Sequence, residues 1–142
     1  ELFLSLFKSG QTELLNKILS LIRQGLSFTR MVEEAVDIYL NLFQQYPAYF
    51  SILFLEAPHL RLKLARQLQP QVTKILRTVQ PCYHQAILQG KIKRVSLKEA
   101  IFLLSGLLQG AVFQWILSDR SYSLTSRAKT IKKIFLTGLA KT

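Results

Sequence analysis

The chain has 142 residues and a formal net charge of +11, and 49% of its residues are hydrophobic. That length suits one domain with a buried core. The single cysteine, Cys82, excludes an internal disulfide. The start, ELFLSLFKSG, has neither the basic region nor the small-residue cleavage site of a secretion signal. We therefore expect a fragment or processed chain that begins inside a helix.

The charge is distributed unevenly along the chain. Residues 1–56 carry a net charge of −2, whereas residues 57–142 carry +13. Between Glu56 and Glu99 there are nine lysines and arginines and no acidic residue. Such a field attracts nucleic acid, anionic lipid or anionic ligands, and the alternative interpretation is an ordinary solvated surface.

Apolar residues of the first half recur at helical spacing, without the alternation that predicts strands. A first helix is predicted to end at Gly25, and Ser27 or Thr29 caps the second. The second helix stops before Pro47, because the residue that precedes a proline is disfavoured in the α conformation. A short apolar helix, YFSILFLEA, follows and ends at Pro58.

The second half continues the helical pattern. A basic stretch at 60–89 is interrupted by Pro70 and Pro81, which predicts one kinked helix or two or three short stacked helices. The letters SLKE at 96–99 have the spacing of a capping box and predict a helix start. A last helix is predicted from about Thr125 to Leu139.

The segment AIFLLSGLLQGAVFQWILS, residues 100–118, contains no charge and is as long as a bilayer-crossing helix of ~20 residues. Gln109 and Gln114 are unfavourable in lipid, so we predict a central helix of a soluble protein that does not bind a membrane. Such a helix buries two opposite faces, one in its own bundle and one against a partner subunit. Gly106 and Gly110 allow close helix approach on one side.

Four segments resemble TetR-family transcriptional regulators in their order and spacing. GAVFQWIL (110–117) and TIKKIFLTGL (130–139) are similar to the last two helices of that family, YLNLFQQYPAYFSILFLEA (39–57) to its helix–proline–helix passage, and ELF (1–3) to the segment after its helix-turn-helix. The resemblance implies a single all-α bundle of about six helices. Residues 1–142 would form the effector-binding and dimerisation domain, whose last two helices build a two-fold four-helix interface, without the DNA-binding helix-turn-helix.

The resemblance also implies a function. The domain would belong to a cytoplasmic homodimer that senses a small, mostly apolar effector and couples it to DNA release through the missing DNA-binding domain. The effector would shift a population between two arrangements of the middle helices. The first alternative is a basic helical nucleic-acid-binding module without an effector, and the second is a membrane-associated helical protein.

No arrangement of residues predicts catalysis, a cofactor or a metal. Cys82 and His84 are two residues apart and point to different sides of a helix, so they do not form a nucleophile and base. His59 stands alone, and a zinc site needs three or four ligands. No glycine-rich phosphate loop occurs. We therefore expect a protein that is not an enzyme.

Aromatic side chains on the middle helices are either ordinary core or the lining of a small-molecule pocket. Our hypothesis is that the side of the apolar helix with Phe102, Gln109 and Phe113 faces inward, and that Tyr83, His84 and Gln109 orient an effector. The predicted ligand-binding residues are Tyr39, Phe43, Phe54, Tyr83, His84, Phe102, Gln109 and Phe113. The predicted dimer interface comprises Leu104, Leu108, Ala111, Trp115, Ile131 and Phe135.

Overall fold

The computed structural model describes residues 2–56 and 58–141, so Glu1 of the ELF segment and Ala57 of the 39–57 segment lie outside the described residues. The described residues form six α-helices and no strand, which confirms the predicted all-α single domain. The helices are α1 Leu2–Arg23, α2 Phe28–Gln45, α3 Pro47–Phe50, α4 Pro58–Leu88, α5 Leu97–Leu117 and α6 Ala128–Leu139.

The predicted helix boundaries agree with the local chemistry. Ser27 caps α2 and Ser96 caps α5, and each hydroxyl accepts a hydrogen bond from the backbone N–H three residues later, at 3.3 and 3.1 Å. Gly25 and Gly90 follow α1 and α4 with φ of +71° and +73°, a conformation that glycine adopts without strain. α2 ends just before Pro47, as expected.

The structure shows whether the basic stretch at 60–89 forms one helix or several short ones. α4 runs unbroken through Pro70 and Pro81, both of which are exposed, so the basic stretch is one long helix. The short apolar helix has two parts, because α3 passes into a π-helical turn at Ser51–Glu56. The last helix is preceded by a 3₁₀ turn at Leu124–Arg127.

Aromatic contacts define the directions of the middle helices. Phe28, at the start of α2, meets Tyr83 near the end of α4, with ring centroids 4.8 Å apart. The Tyr83 hydroxyl donates to the carbonyl of Val95, just before α5, at 2.7 Å. α2 and α5 therefore begin at the same end of the bundle, at which α4 finishes.

The C-terminal elements are fixed to α2 and to the loop after α4. The ammonium group of Lys132 on α6 lies 2.8 Å from the Asp37 carboxylate on α2. Ile92 and Ala140 form an isolated antiparallel bridge, and the Lys93 amide donates to the Leu139 carbonyl at 2.8 Å. These contacts hold α6 beside α2 and thereby complete the core.

The orientation predicted for α5 is wrong. Leu104, Leu108 and Trp115 are buried in their own core, whereas Phe102 and Phe113 point away from it and are 64% and 40% exposed. Both faces are apolar, so hydrophobicity alone does not select one of them. The outer face also carries the two glycines, which would leave voids in a close-packed interior.

The other residues predicted at the dimer interface are also buried or half-buried within their own chain. Ile131 and Phe135 on α6 are buried in the core of their own chain, and Ala111 is half-buried. Ile134 is the large apolar residue of α6 that remains exposed. The large exposed apolar residues of α5 and α6 therefore lie on sides of these helices other than those predicted.

α5 is also the one helix of the described residues that is long and apolar enough to cross a membrane. Core helices of soluble proteins, which are mostly buried, meet the same criterion of length and composition, and 28% of the apolar window of α5 is buried within the chain. The buried Ala100, Leu104, Leu108 and Val112 give α5 a role in the core.

Candidate functional site

A cavity of about 300 Å³ lies between α1, α2, α4 and α5. Hydrocarbon side chains form most of its lining, and the Tyr39 and Ser105 hydroxyl groups are the polar exceptions among the described residues. None of the described lining residues is charged. The cavity is lined by Leu15, Ile18, Leu21, Ile22, Phe28, Met31, Val32, Ala35, Tyr39, Val72, Ile75, Leu76, Val79, Ile101, Leu104, Ser105 and Leu108.

The spacing of residues along α2 builds one wall of the cavity. Phe28, Met31, Val32, Ala35 and Tyr39 recur at intervals of three and four residues, which places them on one helix face. The methyl group of Ala35 leaves space in the middle of this wall, between larger side chains.

Aromatic pairs flank the α2 wall of the cavity at its first and last lining residues, Phe28 and Tyr39. At one end, the Phe28 ring meets Tyr83 edge-on. At the other, Tyr39 packs on Phe43 at 4.8 Å, and Phe43 in turn meets Phe50 at 5.7 Å. Val72 lines the cavity and is 36% exposed, so the cavity is open to solvent beside this residue.

The chemistry of the lining suits a neutral, apolar group. Desolvation by burial raises the pKa of the Tyr39 phenol, so this hydroxyl stays protonated at neutral pH and is able to donate a hydrogen bond. An ion placed among these hydrocarbon side chains would lose its hydration without gaining a charged partner. A charged part of any ligand would therefore remain outside the cavity.

Tyr39 is the predicted ligand-binding residue that lines this cavity. Phe43 lies directly behind it. Tyr83 packs against Phe28 of the lining, and its hydroxyl already donates to the Val95 carbonyl. Phe54 stacks on Phe50 at 4.5 Å and receives the Arg61 guanidinium at 4.8 Å, away from the lining.

The remaining predicted ligand-binding residues are not gathered here. His84, Phe102 and Phe113 are exposed, and Gln109 is half-buried on the outer side of α5. The inner and outer faces of α5 are opposite to those predicted. The α5 residues predicted to bind a ligand therefore lie on the outer face, and those predicted to contact a partner lie on the inner face. Whether any of them binds a ligand stays a prediction.

Sequence reasoning missed most of the lining. Leu104 and Leu108, predicted for dimerisation, line the cavity instead. Ala35 and Ser105 line the cavity and are absent from the predicted site, although both are small residues between large apolar ones on helices that face each other. A small residue on an otherwise bulky inward face is the feature that would have indicated the cavity.

Other groups of described residues are weaker candidates for a functional site. No group of three or more His, Cys, Asp or Glu that could hold a metal occurs among them. A cleft bordered by Pro47, Glu56, Asp119 and Arg120 mixes charged with apolar residues and lies at the surface. The apolar cavity is therefore the best-defined candidate site.

No protein-family model matches the sequence, and no curated protein matches it. The chain shares its fold with solved structures, among them the following two. The fatty acid degradation regulator FadR from Bacillus halodurans is 19% identical, with a TM-score of 0.74, over 98% of this chain and 72% of that one. The transcriptional regulator FadR from Bacillus subtilis in complex with stearoyl-CoA is 17% identical, with a TM-score of 0.75, over 96% and 74%. At these identities the likeness establishes the fold.

Proposed function

We propose that this chain is the effector-sensing domain of a transcriptional regulator and that its effector is an acyl-CoA. The observation that carries the proposal is the uncharged, hydrocarbon-lined cavity, in a fold shared with a regulator that binds stearoyl-CoA. A cavity of this kind takes an alkyl chain and gains free energy from the apolar surface removed from water. The fold relatives are transcriptional regulators, which favours a regulatory domain over an enzyme.

The basic half of the chain favours a ligand with a phosphorylated head group. α4 carries five lysines and arginines and no acidic residue, and α4 forms one cavity wall. Phosphates that remain in solvent beside Val72 would be attracted by this charge. The Tyr39 or Ser105 hydroxyl would donate a hydrogen bond to a carbonyl inside.

Coupling to DNA follows from the position of α1. This helix lines the cavity through Leu15, Ile18, Leu21 and Ile22, and its N-terminal end is the place at which the resemblance puts a TetR-type helix-turn-helix. An acyl chain that separates α1 from α4 would favour one position of α1 over another. The regulator would then release or bind its operator, as a cytoplasmic protein.

We also propose that the regulator is a homodimer. The outer face of α5 exposes Phe102, Leu103, Phe113 and Leu117, and Ile134 of α6 adds to the exposed apolar surface. Large exposed apolar patches mark interaction sites, and two-fold dimers are the commonest assembly. This face replaces the buried residues that the sequence analysis assigned to the interface.

The test is binding of dodecanoyl-CoA to the purified chain, measured by calorimetry and by thermal stabilisation, with free CoA as the reference. We expect saturable binding and a higher melting temperature with dodecanoyl-CoA and neither with CoA. Ala35→Trp fills the middle of the cavity and should abolish binding. Ala65→Trp, on the exposed side of α4, is the matched control. Binding that survives Ala35→Trp, or its absence from the parent, contradicts the proposal.

A specific observation also supports the nucleic-acid module as a second candidate. Lys63, Arg66, Lys74 and Arg77 of α4 are all exposed, and no described carboxylate pairs with them. Binding to duplex DNA that weakens steeply with salt, together with no response to acyl-CoA, would favour this function over the first.

A further inference from the structure

We propose that one side of α4 binds the surface of a lipid bilayer that contains anionic head groups. The inference goes beyond the proposed function, because it concerns a surface apart from the cavity and requires no effector. The prediction that the chain does not bind a membrane rests on α5, whereas this contact lies on α4 and leaves the bilayer uncrossed.

α4 contains an eleven-residue repeat. The sequence KLARQLQP at 63–70 returns as KILRTVQP at 74–81, with lysine, arginine, glutamine and proline at the same positions. Eleven residues make about three turns of an α-helix, so the second copy is displaced by ~16 Å along the axis and rotated by ~20°. Both copies therefore present the same face of the helix. The basic stripe on this face is formed by Lys63, Arg66, Lys74 and Arg77.

The basic stripe points away from the core. Its four side chains are exposed and fall within ~80° of the helix circumference. No described carboxylate pairs with them, and the sequence has no acidic residue between Glu56 and Glu99. The opposite side of α4 lines the cavity with Val72, Ile75, Leu76 and Val79. The stripe is therefore an unpaired positive surface, separate from the candidate site.

The spacing of the charges indicates an extended anionic partner. The two basic pairs are ~16 Å apart along the helix, so a single phosphate group contacts only one of them. A bilayer is flat on this scale and presents many phosphates, so it reaches both pairs at once. Clusters of roughly four to eight lysines and arginines on a helix are typical of binding to anionic lipids.

Exposed apolar side chains favour a bilayer over a nucleic acid. Leu62 and Leu88, at the two ends of the stripe, are 56% and 67% exposed. Around the helix, Leu88 lies within the arc of the stripe, and Leu62 lies ~40° beyond its edge. A bilayer accommodates such leucines at the boundary between head groups and acyl chains. The phosphate backbone of DNA offers them no comparable contact.

Sedimentation of the purified chain with vesicles tests the proposal. One set contains phosphatidylcholine with about 30% phosphatidylglycerol, the anionic lipid, and the other contains phosphatidylcholine alone. We expect binding to the anionic vesicles alone, and a loss of affinity of at least ~tenfold when salt shortens the Debye length from ~10 Å to ~3 Å. Absence of binding overturns the proposal. Equal binding to both sets would indicate an apolar contact, such as the outer face of α5, and also overturns it.

Two charge-reversed double variants locate the contact. Lys74→Glu with Arg77→Glu should weaken binding to the anionic vesicles at least ~tenfold. Lys129→Glu with Lys133→Glu is the matched control, because it changes the net charge equally at two exposed positions of α6. The control should weaken binding less than ~threefold. Equal losses would mean that binding follows net charge and not the stripe, which overturns the proposal.

A leucine variant separates the bilayer from duplex DNA. Leu62→Ser with Leu88→Ser keeps all four charges and should weaken vesicle binding at least ~threefold. Circular dichroism verifies that the variants are folded, which we expect because every substituted position is exposed. Binding of the parent to duplex DNA without binding to the anionic vesicles overturns the proposal and assigns the stripe to nucleic acid.

Discussion

The two faces of α5 have similar hydrophobicity and opposite environments. On the inner face, Leu104, Leu108 and Trp115 are enclosed by α2, α4 and the 3₁₀ turn before α6. On the outer face, Phe102 and Leu117 are 64% and 67% exposed. The difference shows that the apolar composition of a helix does not determine which of its faces packs in the core of its own chain.

Shape and hydrogen bonding distinguish the faces. On the inner face, the indole N–H of Trp115 donates to the Tyr122 carbonyl at 2.6 Å. On the outer face, a side chain added at Gly106 or Gly110 would meet nothing within 4 Å. The inner face thus packs within its own chain except where it lines the cavity, whereas the outer face has open space at both glycines, where we propose that a second copy packs.

The largest expected effect on stability is that of removing Trp115, the buried indole on the inner face of α5. Trp115→Ala removes a buried ring and its hydrogen bond, so we expect it to lower the free energy of unfolding by ~3–5 kcal/mol. Phe113→Ala on the outer face should change it by less than ~1 kcal/mol in the monomer. Urea titration at low protein concentration measures both variants. Equal losses would mean that the outer face is also part of the monomer core.

Disruption of the outer face should separate the subunits without unfolding them. Phe102→Glu places a charge where we propose that a second copy packs, and an unpaired buried charge costs several kcal/mol. We expect the dimer dissociation constant to rise at least ~100-fold, as seen by light scattering across a dilution series. Leu62→Glu alters an equally exposed apolar residue on α4 and serves as the control. A monomeric parent would contradict the assignment to a second copy.

The sequence predicted the elements well and the site poorly, for physical reasons. Helical spacing, Ser27, Ser96 and Pro47 act locally, so they predicted the helices and several of their ends. The rotation of α5 and the cavity depend on which side chains meet across helices, and this is not encoded in the periodicity of one helix. Ala35 acquires its importance only because Leu104 and Ser105 stand across the cavity from its helix.

A smaller effect should follow loss of the Tyr83 hydroxyl, which fixes the approach to α5. Tyr83→Phe leaves the Val95 carbonyl without this donor and should destabilise the chain by ~1–3 kcal/mol. Burial raises the pKa of Tyr83, so its folded form holds the proton more firmly than the unfolded form does. The stability gained from Tyr83 is therefore complete below pH ~10 and declines above it.

Urea titration of both proteins between pH 8 and pH 11 checks this prediction. The parent should lose stability more steeply than the variant above pH ~10, the ordinary tyrosine pKa. Parallel curves would show that Tyr83 ionises equally well in the folded and unfolded chains, contrary to its burial.

The smallest expected effect is that of replacing the two glycines on the outer face of α5 by alanine. The sign of this effect differs between an outer face exposed to solvent and one covered by a second copy. Gly106→Ala and Gly110→Ala create no contact within one chain. In an isolated protomer each should therefore stabilise α5 by ~0.5–1 kcal/mol, the helix-propensity difference. If a second α5 packs closely against these glycines, the added methyl groups separate the helices and weaken the dimer.

Both quantities are measurable on the same double variant, as melting temperature at low concentration and dissociation constant by dilution. We expect a more stable protomer and a weaker dimer, a combination that a purely structural role of the glycines within one chain does not produce. Ala substitution of Gly25, at φ +71°, provides the contrast. It should destabilise the protomer through backbone strain and leave association unchanged, because Gly25 lies outside α5 and α6.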